Sequence, residues 1–328
     1  MQTVPFRSEH SLPSEQAQPR IAVTLPCYNE GVTIASVIAA FRQALPDAEI
    51  YVYDNNSSDD TVQQALDAGA IVRTETRQGK GHVVRRIFAD IEADIYIMAD
   101  GDGTYDASCA PMLVELLQKN HVDMVVGTRA GVTEDAGRQG HAFGNKVFNE
   151  IYSTLFGNQF KDIFSGYRVF TRRFVKSFPA TSAGFEIETE MSVHCSQLNI
   201  PTLERPTPYG VRPEDSHSKL RTFQDGFRIL GMFATLAKET RPAAFFGLIG
   251  LAFTVVACLL SIPLFTTYLE TGEVPRFPTA ILSTGLVIIG TITVVCGLIL
   301  DSLARARTEA KRAVFLSFPA PNWPKSER

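Results

Sequence analysis

Short apolar runs alternate with amphipathic stretches between residues 20 and 127. The apolar runs are rich in Val, Ile and Tyr and predict five strands, at residues 20–25, 49–53, 70–73, 94–99 and 122–126. The stretches between them predict helices near residues 31–44, 59–68, 80–92 and 109–119. Because strands and helices alternate, we expect an α/β domain with a mostly parallel sheet.

The pattern changes beyond residue 140. Residues 141–200 are predicted to be mainly helical, and the prolines between residues 201 and 213 predict an irregular connector. Residues 219–239 carry apolar side chains at spacings of three and four, beside several Lys and Arg side chains. This pattern predicts an amphipathic helix, which fits either an anionic membrane surface or an ordinary packing position on the domain.

Two long uncharged stretches follow. Residues 242–269 contain 28 positions, and residues 277–300 contain 24 positions, without a charged side chain. A helix needs about 20 apolar residues to cross a bilayer, so both stretches predict membrane spans rather than two buried helices of a soluble core. Basic residues precede the first stretch and follow the second, which predicts that both ends of the chain are cytoplasmic.

Composition narrows the class of protein. The 328 residues carry a formal net charge of −4, which argues against a protein that coats nucleic acid. The five cysteines show no Cys-x-x-Cys spacing and predict reduced thiols in the cytoplasm. Residues 1–19 are polar, contain three prolines and predict a loose tail rather than a signal peptide.

The segment Asp100-Gly-Asp102 is the strongest candidate for chemistry because it ends an apolar strand. Two carboxylates at positions i and i+2 can share one hard divalent cation, and Mg²⁺ or Mn²⁺ held this way keeps coordination sites for phosphate oxygens. The flanking glycines allow the backbone to approach a ligand closely. An EF-hand is excluded, since no acidic residue closes a twelve-residue loop that begins at Asp100.

Gly79-Lys80-Gly81 opens the third predicted helix. It lacks the spacing and the following Ser or Thr of a Walker loop. A helix N-terminus with a lysine can bind phosphate, so Lys80 is either a phosphate contact or part of a simple turn.

Two further polar segments complete an ordered set. Leu25-Pro-Cys-Tyr-Asn-Glu30 ends the first predicted strand, and the run from Asp54 to Thr61 ends the second. With the paired aspartates, this set resembles the family-2 glycosyltransferases, whose nucleotide-binding half has the GT-A fold. The resemblance implies that Tyr28 lies against the base or ribose and that Asp54 accepts a hydrogen bond from a base N–H. The implied donor-binding residues are Pro26, Tyr28, Asn29, Glu30, Asp54, Asn56, Lys80, Asp100, Gly101 and Asp102, with Asp100 and Asp102 as the metal ligands.

The segment Asp54-Asn55-Asn56 departs from the Asp-Asp-Gly pattern that is usual in this family. The identity of the base in the donor nucleotide is therefore not determined, with uracil preferred over guanine.

The motifs Asp162-Ile-Phe-Ser-Gly-Tyr-Arg168 and His217-Ser-Lys-Leu-Arg221 resemble one branch of that family, the polyprenyl-phosphate glycosyltransferases. This branch includes dolichyl-phosphate mannosyl- and glucosyltransferases and bacterial undecaprenyl-phosphate relatives. The resemblance covers about residues 20–240, and members often have Ser where this chain has His141. It implies Asp102, Arg129 and Arg138 as catalytic residues, without an essential base role for Asp102. The implied acceptor-phosphate contacts are Arg138, Ser165, Arg168, Ser218, Lys219 and Arg221.

The acidic run Glu186-x-Glu188-x-Glu190 cannot lie wholly on one face of a helix. Either one of the three carboxylates approaches the acceptor, or the run is a solvated helix start.

These observations predict five parts of the chain. They are a flexible tail at residues 1–19, a GT-A domain at 20–218, an amphipathic helix at 219–241, two transmembrane helices within 242–302 (about 243–269 and 277–301) and a basic cytoplasmic tail at 303–328.

The predicted function is inverting, metal-dependent transfer of a hexose or N-acetylhexosamine from a UDP-sugar, or from GDP-mannose, to a polyprenyl phosphate on the cytoplasmic leaflet. The cofactor would be Mg²⁺ or Mn²⁺, and a homo-oligomer is left open. The alternatives are a membrane-anchored nucleotide-sugar-binding protein without catalysis and a glycosyltransferase with a different lipid acceptor. A processive polysaccharide synthase is rejected, since its Gln-x-x-Arg-Trp motif is absent and Trp323 is the only tryptophan.

Overall fold

The computed structural model describes residues 18–130, 160–184, 186–210 and 237–323, together with Gly231 and Thr235. The described strands are β1 Ile21–Cys27, β2 Glu49–Asp54, β3 Ile71–Thr74, β4 Ile95–Met98, β5 Met124–Ala130, β6 Arg168–Thr171 and β7 Thr202–Pro208. The described helices are α1 Ile34–Ala44, α2 Thr61–Asp67, α3 Lys80–Asp90, α4 Ala110–Lys119, α5 Arg172–Ser177, α6 Ile187–Leu198, α7 Pro242–Thr271 and α8 Phe277–Ser317.

The seven described strands form one sheet in the order β3-β2-β1-β4-β6-β5-β7. Strand β1 pairs in parallel with β2 and β4, whereas β6 is antiparallel to β4 and β5. In this register Cys27 lies beside Asp54, and Thr24 lies beside Met98. The carboxyl ends of the parallel strands β1, β2 and β4 therefore lie at one edge of the sheet. This is the edge at which ligands bind in α/β folds.

The predicted α/β class is confirmed, and so are the five strands and four helices predicted for residues 20–127, with boundaries shifted by a few residues. The sequence pattern does not predict β6 or β7. Strand β6 has four residues and lies in a segment predicted to be mainly helical. Strand β7 replaces much of the irregular connector predicted at residues 201–213. It is an edge strand, and edge strands tolerate proline because they need ladder hydrogen bonds on one side only.

Helices cover both faces of the sheet and create two buried apolar clusters. The first cluster joins α3, α5 and α6 to the sheet and contains Phe88, Phe170 and Phe174. The rings of Phe170 and Phe174 stack with their centroids 4.9 Å apart. The second cluster joins α1 and α4 to the opposite face and contains Phe41 and Tyr167. Strands covered on both faces are expected to be almost continuously apolar, as β1 and β4 are.

The long helices α7 and α8 have the length and composition to cross a membrane. Many of their apolar side chains are exposed, for example those of Leu248, Phe265 and Ile299. The two helices approach each other closely at glycines, since a methyl group at Gly250 would lie 2.7 Å from the carbonyl oxygen of Gly290. Two helices that pack tightly on each other and expose apolar side chains elsewhere are typical of a membrane hairpin.

Helix α8 continues beyond its apolar part. Residues 303–317, predicted as the start of a basic tail, belong to the same helix. Near its end, Arg312 donates a hydrogen bond to the carbonyl oxygen of Leu198, with a donor–acceptor distance of 2.7 Å. The Phe315 ring is buried in the first apolar cluster, with its centroid 4.4 Å from the guanidinium carbon of Arg173. The polar half of α8 is therefore docked on the α/β domain.

The segment after α8 reaches the other face of the sheet. Residues 318–323 line a cavity together with Asp94 and Arg172, next to the amino end of β4 and the end of β6. Trp323 is buried in the second apolar cluster. Residues 318–323 thus cross the edge of the sheet that lies opposite the carboxyl ends of β1, β2 and β4. The predicted tail at residues 1–19 and the predicted helix at residues 219–241 fall largely outside the described residues.

Replacement of Phe315 tests this docking. We expect Phe315→Ala to lower the free energy of unfolding of the domain by about 3 kcal/mol, because it removes a buried ring and leaves a cavity. Thermal unfolding of the detergent-solubilised full chain measures the change as a lower Tm. The matched control is Leu316→Ala, since the neighbouring Leu316 is 62% exposed and should leave Tm unchanged. Equal Tm values for the two variants would contradict the docking.

Candidate active site

Three polar loops meet at the carboxyl edge of the sheet, after β1, β2 and β4. The backbone N–H of Asn29 donates to Ser57 Oγ at 2.9 Å, and Asn29 Oδ1 accepts from the Ser58 N–H at 2.7 Å. Thr33 Oγ1 donates to the carbonyl oxygen of Gly101 at 2.7 Å. The three loops that the sequence predicts to bind a nucleotide sugar are therefore in direct contact.

The carboxylate of Asp54 organises the loop that follows it. It accepts the backbone N–H groups of Asn56 and Ser57, each at 3.2 Å. Asn56 adopts a positive φ of 66° and donates from Nδ2 to the carbonyl oxygen of Thr76 at 2.8 Å. The other predicted donor contacts at this edge are the partly exposed Pro26, Tyr28 and Asn29 and the buried Glu30.

Asn55 is a residue that sequence reasoning missed. Its Nδ2 donates to the carbonyl oxygens of Glu75 and Arg77 at 2.8 Å each, and its Oδ1 accepts from the Gly79 N–H at 2.7 Å. Since Gly79 directly precedes Lys80, Asn55 fixes the position at which α3 begins. A carboxamide that immediately follows a buried strand is the sequence signal for such a role, because it can both donate and accept.

Asp100 and Asp102 lie in the loop after β4 and differ in exposure. The Asp100 side chain is 28% exposed, and its carboxylate accepts a hydrogen bond from the Lys80 ammonium. Asp102 is 1% exposed, and its Oδ1 accepts from the backbone N–H and the hydroxyl of Thr104, at 3.1 and 2.6 Å. A methyl group at Gly101 would lie 2.5 Å from Cys27 Sγ, so only glycine fits between the two aspartates without a shift of the loop.

Lys80 lies between two carboxylates. Its Nζ contacts Asp100 and lies 2.5 Å from Glu188 Oε1. The side chains of Lys80 and Glu188 are both buried. Burial by itself would lower the pKa of Lys80, but the charges of Asp100 and Glu188 outweigh this effect and raise the pKa above its ordinary value. A charged ammonium therefore sits beside the first of the two paired aspartates.

Gly166 lies against the charged cluster formed by Lys80, Asp100 and Glu188. A methyl group at Gly166 would lie 3.1 Å from Asp100 Oδ2 and 3.2 Å from Lys80 Nζ. Its backbone N–H donates to the Tyr105 hydroxyl at 2.8 Å, which holds the glycine in place.

The three glutamates before and within α6 have separate roles. Glu186 accepts from the Gly184 N–H at 3.1 Å, and Glu190 accepts from the backbone N–H groups of Thr181 and Ser182 at 2.9 and 2.7 Å. Both of these carboxylates hold the backbone before α6. Glu188 alone among the three reaches Lys80.

Arg129 is held beside the same edge by Asp162. Its Nε and one terminal nitrogen donate to the two oxygens of Asp162, at 2.9 and 2.8 Å. Burial by itself would raise the pKa of Asp162, but the hydrogen bonds and charge of Arg129 lower it below its ordinary value. The guanidinium carbon of Arg129 lies 5.7 Å from the centroid of the Tyr209 ring, so the arginine is fixed on two sides.

Ser165 and Arg168, two of the predicted contacts of the acceptor phosphate, lie inside the domain. Both are fully buried. Ser165 Oγ donates to the carbonyl oxygen of Gly127 at 2.5 Å. Arg168 donates to the carbonyl oxygens of Ser165 and Ile163 at 2.8 and 2.9 Å, and to Ser192 Oγ at 3.0 Å. Because these groups satisfy carbonyls inside the domain, the two side chains stabilise the loop before β6, and their acceptor role stays a prediction.

The remaining predicted contacts, Arg138, Ser218, Lys219 and Arg221, lie outside the described residues. Within the part of the chain that the structure describes, no group of three or more His, Cys, Asp or Glu side chains could hold a metal ion. A cation at Asp100 and Asp102 would therefore need further oxygens from a ligand or from water. Such an incomplete oxygen site suits Mg²⁺ or Mn²⁺ better than a structural Zn²⁺.

Comparisons with known proteins agree with this arrangement of loops. Residues 22–178 match the family described as Glycosyl transferase family 2. Glycosyltransferase AglJ of Haloferax volcanii is 38% identical over 250 residues, which make up 76% of this chain and 81% of that protein. The chain belongs to glycosyltransferase family 2, and it is a glycosyltransferase.

Two other proteins are similar at lower identity. Dolichol-phosphate mannosyltransferase of Pyrococcus furiosus is 24% identical over 224 residues, which cover 62% of this chain and 59% of that protein. Glucosyl-3-phosphoglycerate synthase of Mycobacterium tuberculosis, solved in complex with Mn²⁺, UDP-glucose and phosphoglyceric acid, matches with a TM-score of 0.55 and 24% identity. This match covers 68% of this chain and 80% of that one. The α/β domain accordingly has a GT-A-like fold.

The tight space at Gly166 provides a test of the charged cluster. We expect Gly166→Ala to lower glycosyl transfer by roughly 10-fold to 100-fold, because the added methyl displaces Asp100 and Lys80 by a few tenths of an ångström. Initial rates with the nucleotide sugar that the protein uses measure the loss. The matched control is Gly210→Ala, where the added methyl would lie 3.6 Å from the nearest atom, the Thr104 carbonyl oxygen. Wild-type activity in Gly166→Ala would show that the cluster tolerates displacement.

Proposed function

We propose that this glycosyltransferase moves a hexose or N-acetylhexosamine from a UDP-sugar to a polyprenyl phosphate at a membrane. The observation that carries the proposal is a pair of aspartates, Asp100 and Asp102, at the carboxyl edge of the sheet, in a chain that also has two long apolar helices. The paired carboxylates suit a divalent cation that binds the diphosphate of a donor, and the apolar helices suit a lipid acceptor.

The donor would bind across the three loops at the carboxyl edge. Tyr28 is partly exposed there and offers a ring for the base or ribose. The backbone around Asp54 and Asn56 is already held by hydrogen bonds, so binding would cost little ordering of the loop. The uracil preference rests on the resemblance, and the complex of the M. tuberculosis neighbour with UDP-glucose is compatible with it.

A divalent cation fits the donor set at Asp100 and Asp102. Hard oxygen ligands, a partly exposed Asp100 and coordination positions left for diphosphate oxygens match the requirements of Mg²⁺ or Mn²⁺. When bound, the cation would supply positive charge that stabilises the departing nucleoside diphosphate. Lys80 adds a second positive charge at the same place, beside Asp100.

The acceptor phosphate needs no strong base. A phosphate monoester is largely ionised near neutral pH, since its second pKa is about 6. One of its oxygens can therefore attack the anomeric carbon directly while the bond to the diphosphate breaks, which inverts the configuration. Asp102 suits a holding role better than a base role, because it is buried and accepts two hydrogen bonds from Thr104.

Arg129 is the described cation that suits the acceptor phosphate. Its guanidinium is fixed by Asp162 and Tyr209, and its side chain is still 18% exposed. A pre-organised guanidinium binds phosphate with less loss of side-chain entropy than a free one. Arg138, Lys219 and Arg221 remain proposed acceptor contacts on the strength of the resemblance.

The lipid acceptor and the cytoplasmic orientation have separate support. The apolar residues of α7 and α8 are flanked by Arg241 before and Arg305 and Arg307 after, which favours a cytoplasmic domain. The similarity to a protein named dolichol-phosphate mannosyltransferase favours a prenyl phosphate over other lipids.

A donor and acceptor panel tests the proposal. We expect the full chain in nanodiscs, with Mg²⁺ or Mn²⁺, to convert undecaprenyl phosphate and one UDP-sugar into a glycolipid with a β-linked sugar. Asp100→Asn and Asp102→Asn should each lower the rate on the order of 100-fold or more, since each removes a charge from the diphosphate site. Thin-layer chromatography of radiolabelled product and NMR of the anomeric proton give the readouts.

The matched control is Asp67→Asn, which changes an exposed aspartate on α2 and should keep the wild-type rate. Nucleotide binding without any product from the whole panel would favour the non-catalytic alternative. Product formed only with a soluble phosphate would overturn the lipid acceptor, and full activity in both aspartate variants would overturn the diphosphate site.

A further inference from the structure

The buried contact between Lys80 and Glu188 joins α3 to α6. Glu188 comes from α6 and Lys80 from α3, and their charged atoms lie 2.5 Å apart with both side chains almost fully buried. The other oxygen of Glu188, Oε2, has no hydrogen-bond partner among the described residues. A buried ion pair of this kind is costly to desolvate, so a functional use is the better explanation for it.

The local charges show what such a use could be. Asp100 and Glu188 share the single ammonium of Lys80. A divalent cation at Asp100 would repel this ammonium and compete with it for the same carboxylate. Lys80 would then lose one of its two ionic partners inside a buried site. Glu188 is the partner that would remain.

We propose that Glu188 is a positioning residue that receives Lys80 when a metal and diphosphate bind at Asp100. Without the metal, the Lys80 ammonium neutralises Asp100. With the metal, Glu188 retains the ammonium at the edge of the diphosphate site, where it faces the donor phosphates. The proposal deepens the proposed function and rests on its metal–diphosphate site.

The neighbouring glutamates do not share this role. Glu186 and Glu190 accept backbone N–H groups of residues 181–184 and have no ionic partner among the described Lys and Arg side chains. Glu186→Gln keeps an oxygen that can accept from Gly184. It is therefore a matched control of the same chemistry, two residues away from Glu188.

The experiment measures binding of Mn²⁺ in the presence of UDP by electron paramagnetic resonance, on the full chain in detergent. We expect Glu188→Gln to weaken Mn²⁺ binding about tenfold, because Lys80 then has Asp100 as its only carboxylate and is harder to displace. Lys80→Met should strengthen Mn²⁺ binding without UDP, since it removes the competing cation. Glu186→Gln should bind Mn²⁺ as the wild type does.

The double variant separates this role from a simpler one. If Glu188 acts through Lys80, the change Glu188→Gln has no effect on Mn²⁺ binding in the Lys80→Met background. If Glu188 attracts or ligates the metal itself, the same change weakens binding equally in both backgrounds, and the proposal is overturned. The double variant contains no unpaired buried charge at these two positions, so it also serves if Glu188→Gln alone fails to fold.

The result for the wild type distinguishes the two proposals. A wild-type chain that binds no Mn²⁺ with UDP overturns the metal site of the proposed function. A wild-type chain that binds Mn²⁺, together with a Glu188→Gln variant of unchanged affinity and intact thermal unfolding, overturns the role of Glu188 alone.

Discussion

The parallel pairing of β1 with β2 and β4 is the constraint on which the site depends. The carboxyl ends of parallel neighbours lie at the same edge of the sheet. The register that places Cys27 beside Asp54 therefore also brings the three polar loops after these strands into contact. Asn29 accepts a hydrogen bond from Ser58 and Thr33 donates one to Gly101, which joins the three loops to one another. Asn55 joins the second loop to the segment before α3. The functional groups are therefore positioned by backbone geometry before any ligand arrives.

Charge compensation shapes the interior of this edge. Lys80 is paired with Asp100 and Glu188, and Arg129 is paired with Asp162. In each case a neighbouring carboxylate holds the positive group near the place where a phosphate would lie. This arrangement is useful in a transferase. A phosphate group is negatively charged like a carboxylate, so it can take the place of the carboxylate beside the Lys or Arg side chain.

The sequence predicted the parts of the fold that have a strong local pattern. Strands β1 to β5 are apolar runs between polar turns, and the paired aspartates end one of them. Strand β6 was missed because four residues give no readable period, and β7 was missed because its prolines suggest a connector. The sequence gives no sign that the side chains of Ser165 and Arg168 bind carbonyl groups of their own domain, because these contacts depend on how the loop before β6 packs. Glu188 could not be linked to Lys80, since only the packing of α6 beside α3 brings them together.

Helix α8 is continuous over 41 residues, from its apolar beginning to the docked residues around Phe315. A helix without a break transmits tilt and rotation along its axis, so the apolar half of α8, if it spans a membrane as proposed, and the sheet would move together. Bilayer thickness changes the tilt of such helices. Helix α8 ends near the edge of the sheet that lies opposite the aspartates. A membrane of different thickness would therefore change the position of the carboxyl edge of the sheet relative to the bilayer. This would alter how deeply a lipid headgroup could enter the proposed site.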